Sequence, residues 1–299
     1  MAELIQQLVN GLSNGAIYAL IALGYTMVYG ILKLINFAHG EVFMVGAFAG
    51  LATQRTLHIQ GPLGLLVAIL VAGLAGAITA FTIERVAYRP LRGKPRIIVL
   101  ITAIGVSILI QNIVALMTDA RPSFWQPVFV TDKETALFLI APYLTWADAF
   151  VIGGAVLLMA VLEIIVYRTR MGRAMRAVSQ NLDVAALMGI HTARVISFTF
   201  ILAGFLAGAG AVLVGQKNGS VSYIMGLLPG LKAFVAAVLG GIGSIPGALV
   251  GGLLLGCAET FVAAYVSSNY RDAIAFGILI VVLLVRPSGI FGRYVPEKV

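Results

Sequence analysis

The chain has 299 residues, 60% of them hydrophobic and only 11% charged, with a mean hydropathy of +1.01. A soluble domain carries roughly 25% charged residues, so much of this surface must face lipid and a water-soluble domain is excluded. The net charge of +8 speaks for basic loops that orient helices in a membrane and not for nucleic acid.

A crossing helix needs about 20 residues. Runs of that order lie at about 12–32, 37–54, 63–83, 97–117, 147–167 and 195–215, with a last one at about 273–286. The region 231–266 also reads as apolar but is interrupted by Leu239-Gly-Gly-Ile-Gly-Ser-Ile-Pro-Gly247, too much glycine and proline for one continuous helix. A re-entrant hairpin or two short spans fit it. Period-two alternation is absent, which argues against an outer-membrane barrel. The expected fold is all-α: a polytopic helical membrane protein in one domain over 1–299, with about eight membrane segments. No cleaved signal peptide is expected, because the first residues include Glu3 and no basic n-region. Cys257, the one cysteine, sits in an apolar run as a small hydrophobe.

Charge then sets sidedness. Arg85, Arg89, Arg92, Lys94 and Arg96 cluster between the third and fourth runs, and Arg168, Arg170, Arg173, Arg176 and Arg194 between the fifth and sixth. The loop 118–146, with Pro122, Pro127 and Pro142, holds only Arg121 and Lys133. Alternate crossing puts both dense clusters on one side, cytoplasmic by the positive-inside rule, and starts the N-terminus outside.

Within the second cluster lies helix punctuation. Asn181 suits an N-cap, Asp183 the positive end of the helix dipole, and Gly189 the C-terminal stop. Val184, Leu187 and Met188 then share a face. Such a short amphipathic helix is a docking knob for another protein.

Polar residues inside apolar runs cost several kcal/mol unless paired or hydrated. Asn36, His39, Gly40 and Glu41 stand at the junction of the first two runs, readable as an interfacial hairpin or as a broken helix lining a pathway. Gly240, Gly241, Gly243, Ser244 and Pro246 read as a turn inside the membrane envelope or as unwound backbone at a translocation site; a structural hinge beside the pathway is the expectation. Glu259 is flanked by apolar residues and calls for a partner on another helix, an inward position or the outer interface. Glu84 with Arg85, and Glu163 with Arg168 and Arg170, read as surface pairs. Stretches such as Gly204, Gly208 and Gly210, or Gly247, Gly251 and Gly252, suit close helix packing. No catalytic residues are indicated: there is no Walker A loop, no Gly-x-Ser-x-Gly elbow and no His-Glu-x-x-His, and His39 with Glu41 is too small a set for a metal.

Three long stretches resemble the LivH-type permease subunits of branched-chain amino-acid ABC importers: 19–41, with Gly24-Tyr-Thr-Met-Val-Tyr-Gly and Ile35-Asn-Phe-Ala-His-Gly-Glu; Ile83-Glu-Arg-Val-Ala-Tyr-Arg-Pro90; and 232–247. Gly172-Arg-Ala-Met-Arg-Ala and Ala185-Ala-Leu-Met-Gly-Ile extend the similarity over nearly the whole chain. ABC importer permeases carry a cytoplasmic loop related to Glu-Ala-Ala-x-x-x-Gly that docks on the ATPase. Asp183-Val-Ala-Ala-Leu-Met-Gly189 keeps an acid, an alanine and the glycine, but has Asp for Glu and Val184 for the first Ala. The resemblance implies ATPase coupling through Arg173, Arg176, Asn181, Asp183, Ala185, Ala186, Leu187 and Gly189. It also implies a bacterial inner-membrane complex with a second, LivM-type permease, two cytoplasmic ATPases that use ATP and Mg, and an external amino-acid-binding protein. This chain would bind no cofactor of its own. The alternative is an ion-coupled secondary carrier or channel, suggested by Glu41, Glu259 and the broken segment.

Overall fold

The computed structural model describes residues 2–57, 61–128 and 143–292. Lys133, Pro142 and the polar tail from Arg293 lie outside them. The described chain is almost entirely helical: α1 (Ala2–Leu32), α2 (His39–Leu57), α3 (Gly61–Ile83), α4 (Arg96–Met117), α5 (Trp146–Arg168), α6 (Arg170–Gln180), α7 (Leu182–Leu187), α8 (Thr192–Asn218), α9 (Leu227–Gly240), α10 (Ile245–Tyr265) and α11 (Arg271–Val285). Seven of these helices are long and apolar enough to cross a membrane: α1, α3, α4, α5, α8, α10 and α11. Helix α2 falls short because His39 and Glu41 open it and Gln54 and Arg55 close it, yet its middle is buried. Helix α9 has only 14 residues.

Helix pairing follows small residues. A side chain at Gly252 on α10 would reach 2.6 Å from the Ala19 Cα of α1, and one at Gly15 would reach 2.7 Å from the Leu253 Cα. These two helices therefore pack backbone to backbone and antiparallel, and their close approach makes α1 the centre of the bundle. Helix α8 lies antiparallel to α3 in the same manner, with Gly208 against Gly73 and Gly46. Gly210, in contrast, meets only the Leu20 side chain at ordinary contact distance, 3.5 Å. The antiparallel pairs bring Lys33, the 84–96 connection, the 168–194 connection and the turn 241–244 to one end of the bundle, here called the basic end.

At the opposite end the short strands β1 (Ser123–Phe124) and β2 (Ser220–Val221) pair antiparallel. Trp125, 2% exposed, packs against Gly50 and Gly215, and its backbone N–H donates to the Gly219 carbonyl at 3.0 Å. The Gln54 amide donates to the Gln126 carbonyl at 2.7 Å. These contacts lash the first part of the loop after α4 to the ends of α2 and α8.

Helices α4 and α11 form the outside of the bundle: of their most apolar windows only 11% and 6% are buried. Gly105 on α4 has no neighbour that an added side chain would meet within 4 Å. The two surfaces predict opposite responses to one substitution. Gly252→Leu should cost at least about 3 kcal/mol by overpacking and leave little monodisperse protein after detergent extraction. Gly105→Leu should leave yield and thermal midpoint unchanged, as fluorescence-detected size exclusion and a thermal ramp would show.

Candidate functional site

Two breaks in helical structure meet inside the bundle. After α1 the chain turns at Lys33, whose φ is 54°, and runs without helix until α2 begins at His39. After β2 the chain dips inward before α9 begins at Leu227. The starts of α2 and α9 touch: a side chain at Gly230 would lie 3.0 Å from the Gly40 Cα and 3.4 Å from the Tyr25 hydroxyl. Gly40 and Gly226 also face each other, with the Gly226 carbonyl over Gly40. Neither position tolerates a side chain, so glycine is required here by close approach.

Depth is given by partners. Glu41, 1% exposed, accepts from the Ser107 hydroxyl at 3.2 Å, and Ser107 lies near the middle of α4. His39, equally buried, stands edge-on to Tyr25 with ring centroids 4.9 Å apart and fills the notch left by Gly24. Among the described residues the His39 Nε2 and Glu41 Oε2 atoms are buried without a hydrogen-bond partner. The two helix N-termini bring their positive dipole ends beside Glu41, while the N–H groups of Ala38, His39, Glu41 and Val42 are engaged by Asn36 and Ala38, and those of Leu227 and Gly230 by Ile224 and Gly226. An open carboxylate oxygen beside them suits an ammonium or a water. The arrangement is a close-packed polar contact inside the bundle. It offers no metal centre, since no group of three or more His, Cys, Asp or Glu exists among the described residues.

Asn36 ties the first break to the neighbouring helix. Its Oδ1 accepts from the Ala38 N–H at 3.1 Å and from the Tyr88 hydroxyl at 3.1 Å. Tyr88 closes a wide, π-type turn over Glu84–Tyr88 that continues α3. Here the reading of Glu84 with Arg85 as a surface pair is corrected. Glu84 is fully buried, forms an ion pair with Arg92 and accepts from Ser197 on α8 at 2.7 Å; it continues the buried face of Ala77 and Ala80, while Arg85 faces out. Glu163 is exposed and, among the described residues, has no ion pair.

Glu259 finds its partners on three other elements. The Tyr18 hydroxyl donates to it at 2.9 Å, Lys232 on α9 approaches to 3.1 Å and Arg271 at the start of α11 to 3.3 Å. Lys232, 5% exposed, also reaches Asp272 at 2.6 Å. Two cations against two anions leave the cluster neutral, the condition for keeping charge in a low-dielectric interior. Sequence reasoning assigned Lys232 no role. Its signal was available: one lysine at the head of Ala-Phe-Val-Ala-Ala-Val-Leu, with no acid within a helical turn, must pair elsewhere.

The turn that joins α9 to α10 stands at the basic end and not at membrane depth. Gly241 has φ 103° and Gly243 φ 97°, and the Ser244 hydroxyl caps α10 by accepting from the Gly247 N–H at 3.2 Å, with Pro246 in the first turn. Backbone N–H groups of Ile290 and Phe291 donate to the Leu239 and Gly240 carbonyls at 2.9 Å each. The glycines 240, 241 and 243 thus make a pinned connection, while the inner break lies before α9.

At the same end α6 packs on α5 through Gly172, Met175 and Val178, and the Arg176 guanidinium donates to the Val166 carbonyl. Arg173 is exposed beside it. Helix α7 follows. Asn181 Oδ1 accepts from the N–H groups of Asp183 and Val184, each at 3.0 Å, and Gly189 at φ 82° ends the helix. Ala185 is buried and anchors α7, whereas Ala186, Asp183 and Val184 face out and Leu187 and Met188 are 86% and 78% exposed. Two large apolar side chains so far out of the bundle, on a basic surface, form a projecting knob.

A helical bundle with paired interior breaks, a neutral buried charge cluster and a projecting amphipathic helix defines a membrane permease subunit. The match to the family of branched-chain amino acid transport system permease components spans residues 7–283, and the chain belongs to that family. It is 46% identical to the high-affinity branched-chain amino acid transport system permease protein BraD of Pseudomonas aeruginosa, over 99% of this chain and 98% of the relative. It is 45% identical to the permease protein LivH of Escherichia coli K12, over 99% and 97%. The fold is also that of a chain in the PsaBC complex of Streptococcus pneumoniae, at a TM-score of 0.50 and 14% identity over 94% of this chain and 92% of that one.

Removing one member of a buried ion cluster strands the others, at about 3–5 kcal/mol. Lys232→Met should therefore lower the unfolding free energy by about that much in an SDS titration of the purified chain. Adding Glu259→Met should recover most of the loss. A Lys232→Met chain within about 0.5 kcal/mol of the parent would show that the cluster is not held as described.

Proposed function

We propose that this chain is the membrane-spanning permease subunit of an ATP-driven importer that takes up branched-chain amino acids through a bacterial inner membrane. Family membership supports the transport class, and the exposed apolar knob on α7 carries the coupling part of the reading. The basic end would face the cytoplasm, as the density of arginine there favours, and the N-terminus the outside.

In this scheme α7 seats in a cleft of a cytoplasmic ATPase subunit, with Leu187 and Met188 buried in the contact and Asp183 and Gly189 fixing its shape. Arg173 and Arg176 flank it. A second permease of the same kind, a second ATPase and an external binding protein complete the machine, and ATP with Mg acts only in the ATPase subunits. Closure of the ATPases would pull α7 and α6, and through the α5–α6 turn shift the bundle around α1. The polar spot where α2 and α9 begin would meet the amino acid's charged backbone, while apolar helix walls pass its side chain. No covalent chemistry is involved.

Two predictions follow the knob. Gly189→Arg or Asp183→Lys should reduce ATP-dependent uptake of leucine at least about tenfold, the effect of losing one 1.4 kcal/mol contact, at unchanged membrane expression. Leu187→Asp should abolish co-purification of the ATPase subunits without changing the chain's own thermal midpoint, because the side chain packs on nothing else. Uptake by this chain alone into liposomes, driven by an ion gradient, would instead favour a secondary carrier.

A further inference from the structure

At the basic end a cavity of about 480 Å³ opens between α1, α6, the 241–244 turn and the segment after α11. Its size falls within the range of small-molecule sites, about 300–1,000 Å³. The wall mixes apolar side chains, Met27, Ile31, Met175, Ile242 and Phe291, with the polar ones of Tyr167, Ser179, Gln180 and Ser244. Two cations border it, Lys33 and Arg176, and no aspartate or glutamate does. Among the described residues neither cation has a carboxylate partner. Arg176 spends one N–H on the Val166 carbonyl and lies over the Tyr167 ring at 5.3 Å. Partial burial holds the Lys33 ammonium below its ordinary range, a penalty that an anion beside it would relieve. Thr26, which also lines the cavity, is 1% exposed, and its hydroxyl has no hydrogen-bond partner. That hydroxyl is closed off from the cavity space and offers an occupant no contact.

Apolar stretches of wall, two cations without a carboxylate partner and no acid select one ligand chemistry. A zwitterionic amino acid would leave its ammonium facing cations; an anion with a short aliphatic body would not. We propose that this cavity binds a small amphipathic anion, with its carboxylate or phosphate head between Lys33 and Arg176 and its aliphatic part against Met27 and Ile31. The site is distinct from the meeting point of α2 and α9 and lies at the C-terminal end of α1, whereas the Glu259 cluster meets α1 at Tyr18, in its middle. Its occupant joins α6, which carries α7, to the turn between α9 and α10, so that occupancy bears on the docking element. The head group has two sources, a free organic acid or an anionic phospholipid of the adjoining leaflet.

The test uses the full chain in phosphatidylcholine nanodiscs, titrated calorimetrically with 4-methyl-2-oxopentanoate, which has leucine's branched body and no ammonium, and with leucine. The site predicts saturable binding of the oxo acid and weaker binding of leucine. Lys33→Gln, which removes the charge and keeps most of the side chain, should weaken the oxo acid at least about tenfold, as loss of one charge-assisted contact does. Gly30→Leu should abolish binding, because a Cβ there meets only the Gly243 Cα at 3.8 Å and the side chain would enter the cavity. A second arm replaces part of the phosphatidylcholine with phosphatidylglycerol. If the oxo acid fails to bind but phosphatidylglycerol raises the thermal midpoint of the parent and not of Lys33→Gln, the anion is the lipid head group. Leucine binding as tightly as the oxo acid, or no anion effect that Lys33→Gln alters, overturns the proposal.

Discussion

Backbone without helical hydrogen bonds cannot face hydrocarbon; at membrane depth it must be enclosed by protein or line water. The contact between Gly40 and Gly230 is where this chain meets that constraint twice over. Each break, before α2 and before α9, shields the other, and only glycine allows the two backbones to come this close. Tyr25 and His39 seal one side, and the Asn36–Tyr88 hydrogen bond ties the other to the π turn of α3. The close packing of α1 on α10 and of α3 on α8 is what keeps these pieces in place.

The same low-dielectric interior governs charge. Glu84, Glu41 and Glu259 all sit nearly or fully buried, and each is answered differently. Glu84 has a cation and a hydroxyl, Glu259 two cations and a phenol, and Glu41 a single hydroxyl. A stable ion pair explains the first two as structural ties between helices. Glu41 is the under-satisfied one, and it stands beside two helix N-termini, where an unmet hydrogen-bonding capacity is of use to a passing polar group.

Local signals in the sequence were legible and distant ones were not. The α7 cap is written within nine residues, from Asn181 to Gly189, because capping is a short-range chemistry. Apolar runs located the long helices for the same reason. Glu84 misled because its partners lie 8 and 113 positions away, although its spacing from Ala77 and Ala80 puts it on the buried face of α3. The glycine-rich run 239–247 drew the break toward itself, yet its turn is stapled at the basic end by the residues after α11, while the inner break before α9 shows in the sequence only as the sparser Gly219, Gly226 and Pro229-Gly230. Lys232 was visible as an oddity, but its pairing across α10 and α11 depends on the fold.

The central claim is that the meeting point of α2 and α9 lies on the route of the transported solute. Thiol labelling of a Ser107→Cys variant, in a Cys257→Ala background and in the assembled transporter, addresses it most directly, since Ser107 faces Glu41 across that point. A charged, membrane-impermeant reagent should modify the introduced thiol in one nucleotide state and be excluded in the other. Equal reactivity in both states, or none in either, would place the route elsewhere.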